Sequence, residues 1–509
     1  MYRKDLKMVT EAFRHWSGMM EFRRNRARCK RYCYGDQWGD PVMVDGHRMR
    51  EEHFIRSQGS EPLKNNLIRR LVKQVLGLYR SESGTWRADC GSKKATQTMN
   101  ALLQRAGDTN CMDELGARAL EEFLISGFVV QRKTFGWRQG RCGSWTDNVS
   151  PDSFIIDARM ADCRGWDAEL VGEIHDLRFD AVCQEFARDA ADVKLLADIY
   201  DVGDYDSRLH RAYADFGIPF HRMDDFLQPS AADLCRVYEL WYRRRTPGYL
   251  CHDRVVGRLS WLPVASPTVL ATPMEGERVW TTAEEWRYCY LSPFGDVLAE
   301  GGTPYAHGSH PYVFKAYPFI DGEIHSFVAD VIDQQRYTNR LITLYDWVMR
   351  SSAKGVLLVP EECIPEGYSI EDVAADWARF NGVIPVKTRN GAQLPQQVSA
   401  NAVNIGIHEL LQTQLYFMED ISGVTGALQG KTDNARTSGT LYEQQTHNAT
   451  LSQLDLLDSF RHFIKDGLDK EVSNIQQMAP LETIREFLEE GEIETFRTAD
   501  FSLQQVGVK

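Results

Sequence analysis

Two amphipathic helical segments flank a short intervening stretch, and this pattern restricts the fold more than any other feature of the sequence. Residues 328–353 and residues 401–423 both place apolar side chains at helical spacing. At about 1.5 Å per residue, the first segment forms a rod of roughly 35 to 40 Å. The stretch between them, residues 354–400, is too small to cover both apolar stripes. We therefore expect the helices to pack on each other and to bury their remaining apolar surface against neighbouring copies.

Periodicity alone does not distinguish burial within one chain from burial between chains. The alternative is therefore a plain antiparallel helical hairpin that packs on the rest of the same chain. A contact between copies that is heterologous and that closes on itself produces a ring.

The intervening stretch predicts a small α/β module. It begins with a strand, "KGVLLVP", and continues with an acidic helix, "SIEDVAADWARF". A strand pair then turns at Arg389-Asn390-Gly391.

A glycine-rich segment, residues 424–439, follows the second helix and contains the end of a nucleotide-binding motif, Gly430-Lys431-Thr432. The complete motif needs a glycine five positions before Gly430, where this chain has Thr425. A phosphate cradle also follows a buried strand, whereas this segment follows an amphipathic helix. We therefore interpret the glycines as a flexible connection.

The remainder of the chain predicts a mixed α+β protein. We expect the first 33 residues to form a helix with a basic end and "NNLIRRLVKQVLGLYRS" to form a second helix. A third helix is predicted from about Thr96 and runs into an apolar segment from Leu124 to Val130. Short strands then extend to about Thr303, interrupted by a helical insert at roughly residues 178–199. The C-terminal part predicts one long helix, a helix that begins at Pro480 and a polar tail.

Composition excludes several classes of protein. The chain has 509 residues and a net charge of -13, whereas a protein that mainly grips nucleic-acid phosphates is usually basic. No apolar run approaches the ~20 residues that span a bilayer, and the N-terminus has no apolar signal core. The eleven cysteines lack the spacing of a zinc site, so we expect reduced thiols and no metal or cofactor.

The order of these elements resembles the portal proteins of tailed bacteriophages. The similarity rests on "YPFIDGEIHSFVADVIDQQRYTNRLITLYDWVMRSSAKGVLLVP" and on "QTQLYFMEDISGVTGALQGKTDNARTSGTLYEQQTHNATL". An earlier segment, "EPLKNNLIRRLVKQVLGLYRS", is similar to a wing helix of the same family. Taken in order, these segments organise nearly the whole chain.

The resemblance implies a portal-type ring subunit with seven parts. These are an α+β wing (1–327), a first stem helix (328–353), a small α/β clip (354–400), a second stem helix (401–423), a tunnel loop (424–439), a long wing helix (440–476) and a short helical crown with a C-terminal tail (477–509).

The resemblance also implies a mechanical function without enzymatic activity. A ring, usually of twelve copies, would occupy one capsid vertex of the virion after assembly in the host cytoplasm. Double-stranded DNA would enter and leave through it without sequence-specific binding. The implied partners are the large terminase subunit, a head-completion adaptor, the major capsid protein and scaffolding protein, with no membrane.

Three groups of charged residues are candidates for contact with DNA or with partners. The second stem helix carries Glu409, Glu419 and Asp420 but no lysine or arginine, which suits an acidic channel lining. The tunnel loop offers Lys431, Arg436 and Asp433 for one or two phosphate contacts. The clip offers Lys354, Lys387 and Arg389 for the channel mouth or for docking of the motor. Ordinary solvated charges are the alternative for the loop and the clip.

Two other functions remain alternatives. A nucleotide hydrolase, such as a packaging motor, would depend on Lys431, but no strand ending in an acidic residue follows Thr432 to hold magnesium. Another virion structural component would share the α+β character. It would not need two helical rods around a small module.

Overall fold

The computed structural model describes residues 3–82, 84–200, 205–213, 223–253, 258–264, 278–354, 356–378, 383–387, 395–398, 406–424 and 439–506. About half of the structure is helical and a quarter is in strands, which confirms the predicted α+β class. The chain forms two compact units. The first contains Met1–Lys30, Val72–Ala329 and Arg436–Lys509, and the second contains Arg31–Leu71 and Asp330–Ala435.

The helices are α1 (Leu6–Gly18), α2 (Met20–Tyr34), α3 (Glu51–Ser57), α4 (Leu67–Glu82), α5 (Lys93–Asn110), α6 (Met112–Ser126), α7 (Phe179–Phe186), α8 (Ala190–Ile199), α9 (Tyr205–Tyr213), α10 (Asp224–Leu227), α11 (Phe327–Lys354), α12 (Ile370–Ala378), α13 (Ile407–Ser422), α14 (Gly439–Met478), α15 (Leu481–Arg485) and α16 (Glu490–Thr498).

The strands are β1 (Pro41–Val44), β2 (His47–Arg50), β3 (Thr85–Asp89), β4 (Phe128–Arg138), β5 (Arg141–Asn148), β6 (Phe154–Ile156), β7 (Leu170–Arg178), β8 (Leu234–Asp253), β9 (Arg258–Pro263), β10 (Arg278–Leu291), β11 (Val297–Gly302), β12 (Tyr312–Ala316), β13 (Phe319–Ile320), β14 (Glu323–Ile324), β15 (Val356–Leu358), β16 (Gln396–Val398) and β17 (Ser502–Val506).

The first unit is built on antiparallel sheets. The largest has the strand order β11-β10-β8-β7-β6, with β9 paired to β8, and a second has the order β12-β4-β5. Aromatic side chains pack on the large sheet, where the ring of Phe226 lies 5.5 Å from that of Phe13 and 5.4 Å from that of Trp16. These contacts place α1 in the core of this unit.

The predicted single basic helix at the N-terminus is wrong, because the segment forms α1 and α2 with a break at Met19. Part of its positive charge is also buried. Arg26 is only 5% exposed, and its guanidinium lies 2.7 Å from Glu122 and contacts Asp152. The predicted helix over residues 96–130 likewise divides, since Cys111 adopts a left-handed φ of 51° between α5 and α6.

The predicted polar tail is also wrong. The C-terminal segment forms β17, which pairs with β3 through the register Leu503 to Ala88. Helices α14 and α16 contribute Ile475 and Phe496 to the same buried cluster. The C-terminus is therefore part of the core of the first unit, through a pairing that no local pattern encodes.

A buried ion pair links α14 to β4. The ammonium of Lys133 lies 2.9 Å from a carboxylate oxygen of Glu471 and 2.8 Å from the hydroxyl of Thr146. Lys133 and Glu471 are 1% and 2% exposed. Gly467 makes room for the lysine, because a Cβ atom there would lie 3.1 Å from its Cε.

The second unit contains the β1–β2 hairpin, α3, α12, α13 and the β15–β16 pair. The predicted strand pair around Arg389 is wrong in its pairing: β16 pairs with β15, and residues 383–387 form no strand. Residues 388–394, which contain the predicted turn, lie outside the described residues. The partner of a strand depends on long-range packing, which the local pattern did not contain.

Candidate functional site

Helix α13 occupies most of the second helical segment predicted from the sequence. Two glycines with left-handed backbone bound it, Gly406 with φ 63° and Gly423 with φ 65°. A residue with a side chain adopts this conformation at a cost, so the glycines fix where the helix begins and ends. Residues 401–405, which the prediction included, lie outside the described residues.

The side chains of α13 form distinct strips along the helix. One strip is buried and consists of Ile407, Met418 and Ser422. A second strip is apolar yet exposed: Leu410, Phe417 and Ile421 are 44%, 43% and 46% exposed. At about 100° per residue, it lies roughly a quarter turn from the buried strip. We call Leu410, Phe417 and Ile421 the apolar strip.

Glu409 and Asp420 form a third strip, which we call the acidic strip. Both are exposed, and they lie roughly a quarter turn beyond the apolar strip, opposite the buried one. Glu419 is partly exposed and lies on the remaining side of the helix. Helix α13 is therefore buried on one side, carries the two acids and the exposed Tyr416 on the opposite side, and is apolar in between. An exposed apolar strip of this kind is a candidate surface for contact with another molecule.

Helix α11 carries a ladder of polar side chains that the sequence analysis missed. Gln335, Asn339 and Thr343 are spaced by four residues and therefore share one face. Their side-chain oxygens accept hydrogen bonds from the backbone N–H groups of Leu67 (2.9 Å), Asn65 (3.1 Å) and Leu63 (3.1 Å), respectively. The ladder thus holds an extended segment against the helix.

The ladder is buried and internally connected. Gln335 and Asn339 are 0% exposed. Gln335 donates to the carbonyl of Asn65 at 2.7 Å, and Asn339 donates to the side chain of Gln37 at 2.7 Å. A signal for this face existed in the sequence, because the three polar residues continue the four-residue spacing from Val331. The apolar stripe alone did not reveal it.

One buried carboxylate joins the same helix to α3. Glu51 is 4% exposed and accepts from Arg336 at 3.0 Å and from Arg340 at 2.9 Å. The structure uses both arginines to hold Glu51, with two positive charges against one negative charge.

The C-terminal part of α11 is apolar and exposed. Val331 and Ile332 near the N-terminus of α11 are buried, but Leu344, Tyr345 and Trp347 are 45%, 44% and 51% exposed. The single chain therefore leaves apolar surface uncovered on both helices that flank the intervening stretch.

A comparison with known protein families identifies the chain. A family model described as Phage P22-like portal protein matches residues 10–499, nearly the whole sequence. The chain belongs to the P22-like portal protein family. Membership confirms the resemblance drawn from the sequence. No curated protein matched the chain.

Membership in the portal family carries general implications. The family is structural rather than enzymatic, and it implies a homo-oligomeric ring at the capsid vertex of a virion. Among the described residues of this portal chain, none of the helices combines the length and apolar character needed to cross a membrane.

The three charged residues predicted for the clip, Lys354, Lys387 and Arg389, do not form one group among the described residues. Lys354 is the last residue of α11. Lys387 is exposed, and its ammonium lies 2.9 Å from a carboxylate oxygen of Glu366. Arg389 lies outside the described residues. Lys387 is therefore held by an ion pair within the second unit.

The predicted tunnel-loop residues Lys431, Asp433 and Arg436 lie outside the described residues. The structure describes the two ends of this segment. Val424 follows α13, and α14 begins at Gly439.

Within the described part of the portal chain, one group of side chains has the composition of a metal site: Glu173, His175 and Glu239. Arg132 lies 3.3 Å from Glu173 and 3.6 Å from Glu239, and His175 lies 2.9 Å from Glu239. Burial by itself would raise the pKa of Glu239, but His175 and Arg132 hold that pKa below its ordinary value. Arg132 supplies the positive charge here, so we assign the group to a buried ion network.

Proposed function

We propose that this portal chain forms a ring, of twelve copies, through which viral double-stranded DNA is packaged and later ejected. The large terminase subunit docks on the ring during packaging, and a head-completion adaptor docks on it afterwards. The ring contacts the major capsid and scaffolding proteins at the vertex.

The arrangement of strips on α13 is the observation that carries this proposal. In a ring, a helix beside the channel has one side toward its own chain, one side toward the axis and one side toward a neighbour. The buried, acidic and apolar sides of α13 match these three surroundings in that angular order. A helix that packs only against its own chain is expected to be apolar on its buried side and polar on its exposed sides. An exposed apolar strip between a buried side and an acidic side departs from this pattern.

The acidic side suits a channel that DNA must pass in both directions. A lysine at each phosphate would release counterions and bind the duplex tightly, which opposes sliding. Glu409 and Asp420 on this side instead repel phosphates around the ring, and Glu419, on the next side of the helix, adds to the negative charge. This lining keeps the duplex away from the wall.

The loop and clip assignments extend the same proposal. Lys431 and Arg436, partly balanced by Asp433, contact one or two phosphates per copy and centre the DNA. Lys354, Lys387 and Arg389 lie at the channel mouth or on the surface that docks the motor.

The mass of the purified particle tests the ring directly. We expect native mass spectrometry to give about 0.7 MDa, which corresponds to twelve copies of the 58.2-kDa chain. Electron microscopy of the same sample should show a central channel wide enough for a duplex. A chain that stays a monomer at micromolar concentration would contradict the proposal.

Deletion of residues 432–436 tests the role of the loop. We expect rings of unchanged mass, because the segment lies outside the strips proposed for assembly, together with reduced packaging of DNA. Packaging is measured as nuclease-protected DNA per capsid. A matched control replaces the same five residues with a glycine-serine linker of equal length that retains Arg436, while Lys431 is unchanged in both variants. Loss of the ring itself in the deletion variant would instead make the loop a structural element.

A further inference from the structure

The second unit contains an open apolar groove of about 480 Å³. Its walls come from β1, α3 and α11, and the principal apolar residues are Trp38, Met43, Phe54, Leu344 and Trp347. Met43 is 69% exposed and Trp347 is 51% exposed. We call this the α11 groove. Its volume falls in the range of about 300 to 1,000 Å³ that is typical of ligand-binding pockets, so it has room for apolar side chains of a partner.

We propose that the α11 groove receives the apolar strip of α13 from a neighbouring copy of the same chain. The inference rests on the proposed function, and it names the two surfaces that join adjacent copies. Both surfaces belong to the second unit, and both remain exposed in the single chain. A contact between copies covers both at once.

The geometry of the apolar strip fits recognition of a helix by a groove. Leu410, Phe417 and Ile421 occupy positions i, i+7 and i+11, so they follow one line along α13 over about 16 Å. Aromatic and aliphatic anchors of this type dominate the energy of helix–groove contacts. Phe417 lies in the middle of the line and is the central anchor.

Electrostatic complementarity selects α13 as the occupant. Arg340 lines the groove, and Arg336 lies one turn before it on α11. The two arginines share the single carboxylate of Glu51, so this cluster carries net positive charge, and Arg48 is exposed on the neighbouring strand β2. Helix α13 carries no lysine or arginine. In the proposed contact its acidic strip stays open to the channel, and its negative charge attracts the neighbour's arginines over about a Debye length, ~8–10 Å.

The two surfaces differ from each other, so the contact is heterologous. Each copy presents a groove to one neighbour and an apolar strip to the other. Such a contact repeats until the rotation closes, which produces a ring rather than a symmetric dimer.

Photocrosslinking tests the assignment. Benzoylphenylalanine replaces Met43 in the full-length chain, and the purified ring is irradiated. We expect covalent dimers and longer ladders on a denaturing gel, with the crosslinked peptide mapping to residues 407–422. A matched probe at Gln412, which is exposed on α13 away from the apolar strip, should not crosslink to the groove peptides.

The outcome separates this inference from the proposed function. Rings of the expected mass whose Met43 probe crosslinks to another segment overturn the groove assignment and leave the ring intact. Chains that do not assemble at all contradict the ring itself. Crosslinking to residues 407–422 supports both.

Alanine substitutions provide a second test, which needs no crosslinking probe. Leu344→Ala and Phe417→Ala each remove apolar contact, so we expect each to raise the concentration at which rings dissociate by roughly tenfold. In the proposed contact the two side chains touch, so the double variant should raise it by clearly less than a hundredfold. Tyr345→Ala, outside the groove, is the control and should combine additively with Phe417→Ala. Additive behaviour of the first pair would reject the contact.

Discussion

Replacing Phe417 and Ile421 with aspartate is expected to convert the assembled ring into single chains. Each apolar side chain contributes about 1.5 to 3 kcal/mol when it is fully buried, and a carboxylate in its place loses that contribution and must be desolvated. The loss recurs at every contact around the ring. Mass photometry should show the particle of about 0.7 MDa replaced by a species of 58.2 kDa.

The fold of the single chain should survive this change. Phe417 and Ile421 are 43% and 46% exposed within the chain, so aspartate at either position faces solvent in the monomer. Circular dichroism should therefore be unchanged. Gln412→Asp is the matched control, because it adds a charge to the same helix at an exposed position away from the apolar strip. Rings that persist in the double variant would show that the apolar strip does not join the copies.

Replacing Lys133 with methionine is expected to destabilise the first unit by about 3 to 5 kcal/mol. The change leaves Glu471 buried without its positive partner, and desolvation of an unpaired carboxylate is costly. The midpoint of thermal unfolding should fall by on the order of 5 °C or more. Differential scanning calorimetry of the purified chain measures this shift.

A matched substitution separates burial from loss of charge. Lys94→Met removes the same group from an ion pair with Glu492, whose side chains are 61% and 36% exposed, and we expect an unchanged midpoint. The combined variant Lys133→Met with Glu471→Leu removes both buried charges and should recover much of the stability. A Lys133→Met variant as stable as Lys94→Met would contradict the assigned role of the pair.

Local periodicity was sufficient for the helices that flank the intervening stretch. The sequence predicted a helix over residues 328–353, and α11 runs from Phe327 to Lys354. It also predicted that α13 would be amphipathic with three acids and no basic residue. Helical spacing is a local property, because residues three and four apart share a face whatever the rest of the chain does.

The predictions that failed depended on contacts between distant parts of the chain. Breaks at Met19 and Cys111 interrupted segments whose spacing was helical throughout. The strand Gln396–Val398 pairs with Val356–Leu358 rather than within the predicted hairpin. In each case the observed structure depends on tertiary contacts, and the local spacing of apolar residues does not predict those contacts.

By itself, the sequence determined the positions of the two longest helices, α11 and α14, the acidic character of α13 and the family to which the chain belongs. Tertiary structure alone decided which polar residues are buried partners, as in the ladder of Gln335, Asn339 and Thr343. It also decided that Lys133 meets Glu471 and that Ser502–Val506 completes a sheet with Thr85–Asp89. Residues hundreds of positions apart make these contacts. The free energy of these contacts depends on the desolvation of each polar group and on which partner it meets. The local spacing of residues predicts neither.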